Sequence, residues 1–99
     1  MENRRSYPIF IVFNGRVFNE VLIDPHYEEN HSKYMSDDFI LRLVKKLNRS
    51  YAPVQERVKG WDYHEIDRVE GDGRLYRIVI CTSEIKNYIG VINCYRRGS

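Results

Sequence analysis

The sequence predicts an α+β fold with an N-terminal β-hairpin, one main helix and then a three-stranded antiparallel meander, the helix being packed on one sheet face. Three observations support this prediction. Asn14-Gly15 separates two apolar runs, aliphatic residues recur at helical spacing after Ser36, and polar turns separate three later runs rich in β-branched and aromatic residues. The length of 99 residues suits a single domain, of which residues 1–6 and 98–99 are expected to be disordered.

The first element is the hairpin. The segment IFIVF precedes Asn14 and Gly15, and the segment RVFNEVLI follows them. A type I′ turn requires positive φ at both central residues, and Asn-Gly is the pair that best meets this requirement. Pro8 marks the start of the first strand, and Asp24-Pro25 ends the second, because proline cannot donate to a ladder and drives the preceding residue to extended geometry.

The main helix is predicted from about Asp37 to Leu47. Ser36 is a suitable N-cap, and the carboxylates of Asp37 and Asp38 follow it where the helix dipole favours them. One apolar stripe is predicted to be buried, and it consists of Ile40, Leu43, Val44 and Leu47. The preceding residues 26–35 show no clean period and are expected to form either an ordered loop or a short helical turn.

The three closing strands are predicted from alternation and turn chemistry. Residues 51–60 have no apolar stripe and are predicted to be a loop. Trp61 to Val69 alternates aromatic and charged side chains, which indicates a strand with one exposed face, and His64 is expected to be a surface residue there. Arg74 to Thr82 and Tyr88 to Tyr95 flank a polar connector, as the two strands of an antiparallel hairpin do.

Composition restricts the function classes. The net charge of +2 is too small to argue for a polyanionic partner from the field of the whole protein. Bases nevertheless gather in residues 42–49 and near the ends of the last two strands, so a local basic zone is expected. Cys81 and Cys94 form neither a disulfide framework nor a zinc-ligand spacing, which predicts a reducing, cytoplasmic location. No apolar stretch approaches the roughly 20 residues of a membrane span, so we expect no membrane partner.

Familiar catalytic motifs are absent from the sequence. It contains no glycine-rich phosphate loop, no G-x-S-x-G elbow, no H-E-x-x-H motif and no EF-hand loop. The adjacent carboxylates Glu28-Glu29 and Asp37-Asp38 do not face each other, and the second pair is explained by the start of the helix. Nucleotide hydrolysis, serine hydrolysis and zinc proteolysis are therefore disfavoured, and no cofactor or metal is expected.

The candidate catalytic residues are His26 and His31 and, far downstream in the chain, Tyr95 and Arg96. RNA cleavage without a metal needs a base for the 2′-hydroxyl, an acid for the leaving oxygen and fixed cations for the phosphorane charge. Histidine can serve in either proton role, tyrosine is a possible acid, and arginine can clamp phosphate with two hydrogen bonds. Lys33, Arg74 and Arg77 are the candidate substrate-binding residues.

Plainer interpretations of these residues remain open. His26 follows Asp-Pro and is compatible with a local hydrogen-bonding role. At least one of Arg74 and Arg77 is expected to be a solvent-facing residue or a partner of Glu65 or Asp67. Tyr95 and Arg96 point to opposite faces of a strand because the side-chain period is two, so only one of them can lie on an open face unless the strand twists.

The layout resembles that of the small toxin ribonucleases of the RelE and ParE group, within the wider barnase, EndoU and colicin-like fold. The similar segments are HYEENHSKYMSDDFILRLVKKL, GRLYRIVIC and YIGVINCYRR, so the resemblance covers roughly Pro25 to Arg97. It implies His26 or His31 as the proton-transfer group, Arg77 or Arg96 as the phosphate clamp and Tyr95 as a stacking or acid residue. The Asn14-Gly15 hairpin departs from the layout of that group.

Two hypotheses of function follow. The leading one is a metal-independent ribonuclease or toxin-like RNA-binding domain that uses the open face of the sheet. The alternative is a noncatalytic protein-interaction module, such as an antitoxin, immunity or regulatory subunit, that pairs through the aromatic and acidic strand Trp61 to Val69. A homodimer is a third possibility.

Overall fold

The fold was analysed in a computed structural model that describes residues 4–31 and 33–96, without the side chains of residues 30 and 31. Disorder was expected for residues 1–6 and 98–99; residues 1–3 and 98–99 lie outside the described residues, whereas Arg5 and Ser6 lie in the first strand. The elements are β1 (Arg5–Phe13), β2 (Arg16–Ile23), a 3-10 turn (Pro25–Tyr27), α1 (Glu28–His31), α2 (Asp37–Lys45), β3 (Glu56–Val58), β4 (Trp61–Gly71), β5 (Arg74–Ser83) and β6 (Tyr88–Arg96). The first strand therefore begins ahead of Pro8.

The strands form one six-stranded mixed sheet in the order β1-β2-β6-β5-β4-β3. The predicted α+β arrangement of a hairpin, a helix and a separate three-stranded meander is therefore wrong, and the fold is β-rich and poor in helix. The difference arises because β6 pairs in parallel with β2, for example Val21 with Ile89, which joins the N-terminal hairpin to the later strands. Parallel pairing of this kind needs a long crossover, which the helical segment and the intervening strands supply.

Three of the antiparallel connections in the sheet are two-residue turns in which both central residues have positive φ. They are Asn14-Gly15 (52° and 78°), Lys59-Gly60 (53° and 86°) and Asp72-Gly73 (51° and 82°). The predicted Asn14-Gly15 hairpin is confirmed. The prediction of a loop over residues 51–60 is wrong, because the second turn pairs β3 with β4. All three residues of β3 are exposed, so this strand has no apolar alternation for a sequence pattern to detect.

The main helix begins and packs as predicted. The Ser36 hydroxyl accepts a hydrogen bond from the Phe39 amide at 3.2 Å, which caps α2. The apolar stripe of α2 is buried and belongs to one core cluster together with side chains of the sheet, which include Ile11, Phe18, Val21, Ile78, Ile80, Ile89 and Val91. Gly71 permits a close approach, since a Cβ there would lie 2.8 Å from Leu43 Cδ2 and 2.9 Å from Phe39 Cζ.

His64 is buried, at 1% exposure, so its prediction as a surface residue is wrong. His64 pairs with Ile80 on the face that α2 covers. The aromatic side chains of Trp61 and Tyr63, which precede it, point to the opposite face. Its Nδ1 lies 3.0 Å from the Pro53 carbonyl oxygen, which can only accept, so Nδ1 carries a proton. The ring also packs edge-on against Phe13, with centroids 5.2 Å apart. His64 therefore ties β4 to β1 and to the chain before β3.

The two cysteines lie on neighbouring strands but on opposite faces of the sheet. Cys94 pairs with Ile78 on the face that α2 covers, and Cys81 pairs with Gly90 on the other face. Both are free thiols, and burial raises the pKa of each, to about 12 for Cys94. In the described parts of the chain, no helix is long and apolar enough to cross a membrane.

Candidate phosphate-binding site

A pocket of about 520 Å³ lies at the end of the sheet where β6 terminates and β5 begins. Arg96 is the last residue of β6, and Arg74 follows the Asp72-Gly73 turn between β4 and β5. The segment before α2 and the first turns of that helix form the other wall. The lining residues are Lys33, Tyr34, Met35, Ser36, Phe39, Arg42, Asp72, Arg74, Tyr76 and Arg96. We call this site the basic pocket.

Positive charge dominates the basic pocket. Its lining contains four cationic side chains and one carboxylate. The carboxylate of Asp72 lies 3.3 Å from Nη2 of Arg42, and both side chains are exposed. Within the described residues, Lys33, Arg74 and Arg96 form no ion pair. The pocket therefore concentrates cations in a protein whose total charge is close to neutral.

Arg96 is held in place by Tyr34. Its guanidinium carbon lies 4.2 Å from the centroid of the Tyr34 ring, and its backbone amide donates to the Tyr34 hydroxyl at 3.4 Å. Its Nε is buried and has no hydrogen-bond partner among the described residues. A buried donor without an acceptor is unfavourable, and the Nε atoms of Arg4 and Arg77 are in the same state.

Arg42 reaches the pocket because α2 packs closely on β4. Gly71 has no side chain, so Phe39 and Leu43 can pack directly over its backbone. This contact brings the helical turn that carries Arg42 beside the β4–β5 turn. Arg42 then lies over the Phe39 ring, at 4.8 Å from its centroid, and pairs with Asp72. The packing of α2 thus places Arg42 in the pocket, and the turn between β4 and β5 places Arg74 there.

The structure brings three of the predicted residues together and separates two others from them. Lys33, Arg74 and Arg96 all line the basic pocket. Tyr95 and Arg77 pair with each other on the opposite face of the sheet, where Arg77 Nη1 donates to the Tyr95 hydroxyl at 3.4 Å. The prediction that Tyr95 and Arg96 point to opposite faces is confirmed.

Arg77 is neutralised on that opposite face. Its Nη2 donates to Asp67 at 3.3 Å, and its Nη1 lies 3.8 Å from a Glu65 oxygen. The hydrogen bond to Asp67 and the contact with Tyr95 raise the pKa of the guanidinium. The interpretation of one arginine as a partner of Glu65 or Asp67 is therefore confirmed for Arg77, and this side chain does not contribute to the basic pocket.

The predicted histidines do not complete the pocket. His26 is half exposed on the 3-10 turn, its Nδ1 lies 3.8 Å from Glu29, and it is not part of the pocket lining. His31 is the last residue of α1, and its side chain lies outside the described residues. Among the described residues, no group of three or more His, Cys, Asp or Glu side chains could hold a metal ion.

Sequence reasoning missed two residues of the site, Tyr34 and Arg42. Arg42 is exposed on α2, and it follows Phe39 at the i, i+3 spacing that brings helical side chains together. Tyr34 belongs to a segment without periodicity, and no local signal connects it with the end of a strand so far along the chain.

Close to the pocket, the first carboxylate of α2 joins three elements through hydrogen bonds. Asp37 accepts from Arg5 Nε at 2.5 Å, from the Tyr7 hydroxyl at 2.5 Å and from the Tyr27 hydroxyl at 2.7 Å. These donors, with Arg5 as the main cause, lower the pKa of Asp37 to about 2. Burial and the Asp37 contact raise the pKa of Tyr27 to about 12. We call Arg5, Tyr7, Tyr27 and Asp37 the Asp37 cluster.

Comparison with known proteins gives no relative: no family model, no curated protein and no solved structure matches this chain.

Proposed function

We propose that this chain binds single-stranded RNA through the basic pocket. The proposal rests on one observation, the convergence of Lys33, Arg42, Arg74 and Arg96 on a pocket whose described lining contains the single carboxylate of Asp72. Guanidinium groups match the geometry of phosphate oxygens and bind them with two parallel hydrogen bonds.

Single-stranded RNA is the form that suits this arrangement best. Proteins recognise unpaired nucleotides by combining phosphate contacts with stacking of bases on aromatic rings or on guanidinium planes. The Arg96 and Tyr34 pair presents both kinds of surface at the wall of the pocket. The rings of Phe39 and Tyr76 are buried and contribute packing, whereas the Tyr34 ring is half-buried and lies against the Arg96 guanidinium.

The enzymatic form of the proposal is a metal-independent, toxin-like endoribonuclease. A histidine would take the proton of the 2′-hydroxyl as its oxygen attacks the phosphorus, and the 5′-oxygen would leave with a proton from solvent water. Arg96 would stabilise the charge that develops on the phosphorane. His31 is the proposed base, because His26 is not part of the pocket lining and faces Glu29 instead. We also propose a reducing, cytoplasmic location, which two free and buried thiols support.

Binding is tested by fluorescence anisotropy with a labelled single-stranded RNA at several salt concentrations. We expect Arg74→Ala to weaken binding about tenfold and to reduce the slope of log affinity against log salt by about 0.7, the value for one lost phosphate contact. Arg57→Ala is the matched control, since Arg57 is an exposed arginine that pairs with Asp62 outside the basic pocket. Equal effects of the two substitutions, or binding that is indifferent to salt, would contradict the proposal.

Cleavage is tested separately, by incubation of the protein with RNA in EDTA. We expect His31→Ala and Arg96→Ala each to reduce the cleavage rate by at least about a hundredfold, as removal of a proton-transfer group or a charge-stabilising donor does. Retained RNA binding without cleavage would leave a binding domain and remove the enzymatic form of the proposal. Cleavage that survives both substitutions would show that the activity comes from another site or from a contaminant.

A further inference from the structure

The basic pocket holds more positive charge than one internal phosphate of an RNA chain can balance. Its described lining carries four cationic side chains and the single carboxylate of Asp72, which is a net charge of +3. A phosphodiester inside a chain has one negative charge and would leave two positive charges of the pocket unbalanced. The surplus favours a ligand group that carries more negative charge than one diester.

Three cations of the pocket have no carboxylate partner among the described residues, and they are Lys33, Arg74 and Arg96. An internal phosphodiester presents two non-bridging oxygens, whereas a terminal phosphate presents three acceptor oxygens and a charge of about −1.5 to −2 at pH 7. The unpaired cations therefore match the oxygens of a terminal phosphate in number. Such a phosphate and the diester next to it together balance the net charge of the pocket.

The unpaired cations come from three separate parts of the fold. Lys33 belongs to the segment before α2, Arg74 begins β5 and Arg96 ends β6. A groove that follows a single strand of RNA carries its cations along the path of the backbone, beside successive phosphates. Cations that converge on one pocket of about 520 Å³ suit a single phosphate that is contacted from several sides.

Arg96 is the fixed member of the group. Its guanidinium lies against the half-buried Tyr34 ring, and its backbone amide donates to the Tyr34 hydroxyl. A side chain that is held in place before binding loses less conformational freedom when the ligand arrives. Lys33 and Arg74 are exposed, so they can adjust to a phosphate that Arg96 already holds.

We propose that the basic pocket binds the terminal phosphate of a single-stranded RNA. This inference rests on the RNA-binding function proposed above and specifies the part of the RNA that occupies the pocket. Arg96 binds two oxygens of the phosphate in parallel, and Lys33 and Arg74 contact the oxygens from the other sides. Phosphates at the 5′ and the 3′ end share this chemistry, and the experiment distinguishes them.

The test compares four unlabelled RNAs by competition against an internally labelled RNA, with fluorescence anisotropy as the readout. Three share one sequence and carry two hydroxyl ends, a 5′-phosphate or a 3′-phosphate. The fourth has hydroxyl ends and is longer by two nucleotides, so it adds about as much charge as a terminal phosphate does. We expect at least one phosphate-ended RNA to bind about tenfold tighter than the hydroxyl-ended RNA. The longer RNA should gain about twofold or less.

A pair of lysine variants locates the preference in the pocket. Lys33→Ala should reduce the tenfold preference for the phosphate-ended RNA to about threefold, because one cation that contacts the terminal phosphate is removed. Lys45→Ala is the matched control and should keep the full preference, since Lys45 is an exposed lysine of α2 outside the pocket lining. The ratio of the two affinities is the readout, so a general loss of RNA binding does not imitate the expected result.

The outcomes separate this inference from the function on which it rests. Equal, salt-sensitive affinities for all RNAs of one length would overturn the terminal-phosphate inference and leave RNA binding in place. A longer RNA that binds as tightly as the phosphate-ended ones would also overturn it, because charge alone would then explain the gain. A preference that is unchanged in both Lys33→Ala and Arg74→Ala would assign the terminal phosphate to another site. No binding of any RNA would overturn the inference and the proposed function together.

Discussion

Two clusters of arginine and tyrosine lie near the start of α2, and they differ in how their charge is balanced. In the Asp37 cluster, one carboxylate accepts hydrogen bonds from Arg5 and from two tyrosine hydroxyls, and Glu28 lies 3.0 Å from the same arginine. In the basic pocket, Arg42 alone has a carboxylate partner among the described residues. The arginine of the Asp37 cluster is thus paired with carboxylates of the chain, whereas Arg74 and Arg96 in the basic pocket have no carboxylate partner among the described residues.

The difference separates a structural role from a binding role. A buried or half-buried charge that is fully paired fixes the elements that carry its partners, here β1, the 3-10 turn and α2. A group of cations without carboxylates raises the local potential and favours an incoming anion. Removing charge from the first cluster should therefore change stability, and removing charge from the second should change binding. Four predictions test this comparison.

The largest effect is expected for Asp37→Asn. The substitution removes the charge that pairs with Arg5 and places an amide donor among hydroxyl donors, so the free energy of unfolding should fall by about 2–3 kcal/mol. Asp38→Asn is the control, because Asp38 is exposed in the same helical turn and should cost about 0.5 kcal/mol or less through the helix dipole. Urea unfolding measures both, and equal losses would mean that the Asp37 cluster does not stabilise the fold.

The Asp37 cluster also predicts an acid-sensitive stability. The pKa of Asp37 is lowered from 3.8 to about 2 in the folded protein, so the unfolded chain binds more protons between these values. The stabilisation is complete above the unfolded pKa and is lost as pH falls through the folded one. We expect a loss of about 1–2 kcal/mol between pH 4 and 2, reduced by solvent screening because Arg5 is partly exposed. Asp37→Asn should lack this part of the pH dependence, and identical acid profiles would contradict the prediction.

Gly71→Ala should affect both stability and binding. The added Cβ meets Leu43 and Phe39 in the core, so the free energy of unfolding should fall by about 1–2 kcal/mol as α2 moves off β4. The same shift would move Arg42 away from the basic pocket and weaken RNA binding. Gly90→Ala provides an equally close contact, 2.8 Å from Cys81 Sγ, on the opposite face, and RNA affinity should be unchanged there. Fluorescence anisotropy with labelled RNA, measured on folded samples of both variants, distinguishes the two expected affinities.

The smallest effect is expected for Asp72→Asn, and it is a gain in RNA affinity instead of a loss. Loss of the single carboxylate in the described lining should raise RNA affinity about two- to threefold. The effect is modest because charges interact weakly at a site that is exposed to water. Asparagine tolerates the positive φ of 51° at this position, so the turn should be retained. Asp62→Asn makes the same charge change outside the basic pocket and should leave affinity unchanged. Reduced affinity in Asp72→Asn would mean that Asp72 orients Arg42 for binding.

Local chemistry accounts for the parts of the fold that the sequence predicted. Asn14-Gly15 is suited to a turn with two positive φ values, and Ser36 followed by an apolar stripe is suited to a capped helix, whatever the rest of the chain does. Lys59-Gly60 makes the same kind of turn without the favoured Asn or Asp, and it connects to a strand with three exposed residues. The missed hairpin therefore had no local pattern that could predict it.

The candidate site was only partly predictable. Lys33, Arg74 and Arg96 were chosen as single residues for their chemistry, and they do line one pocket. Tyr34 and Arg42 join them only because Gly71 lets α2 approach β4 and because β6 ends beneath the segment before the helix. Such contacts depend on packing between distant parts of the chain, and no spacing within the sequence carries that information.

The sequence by itself determined the first hairpin, the capped helix and the opposite directions of Tyr95 and Arg96, because turn dihedral angles, capping and the period of a strand are local properties. Only the tertiary structure decided that β2 joins β6, that His64 is buried, and that one group of cations shares a pocket while Arg77 is neutralised elsewhere. Those outcomes depend on strand register and on pairing between remote segments. A shift of one residue in register turns every side chain of a strand to the other face.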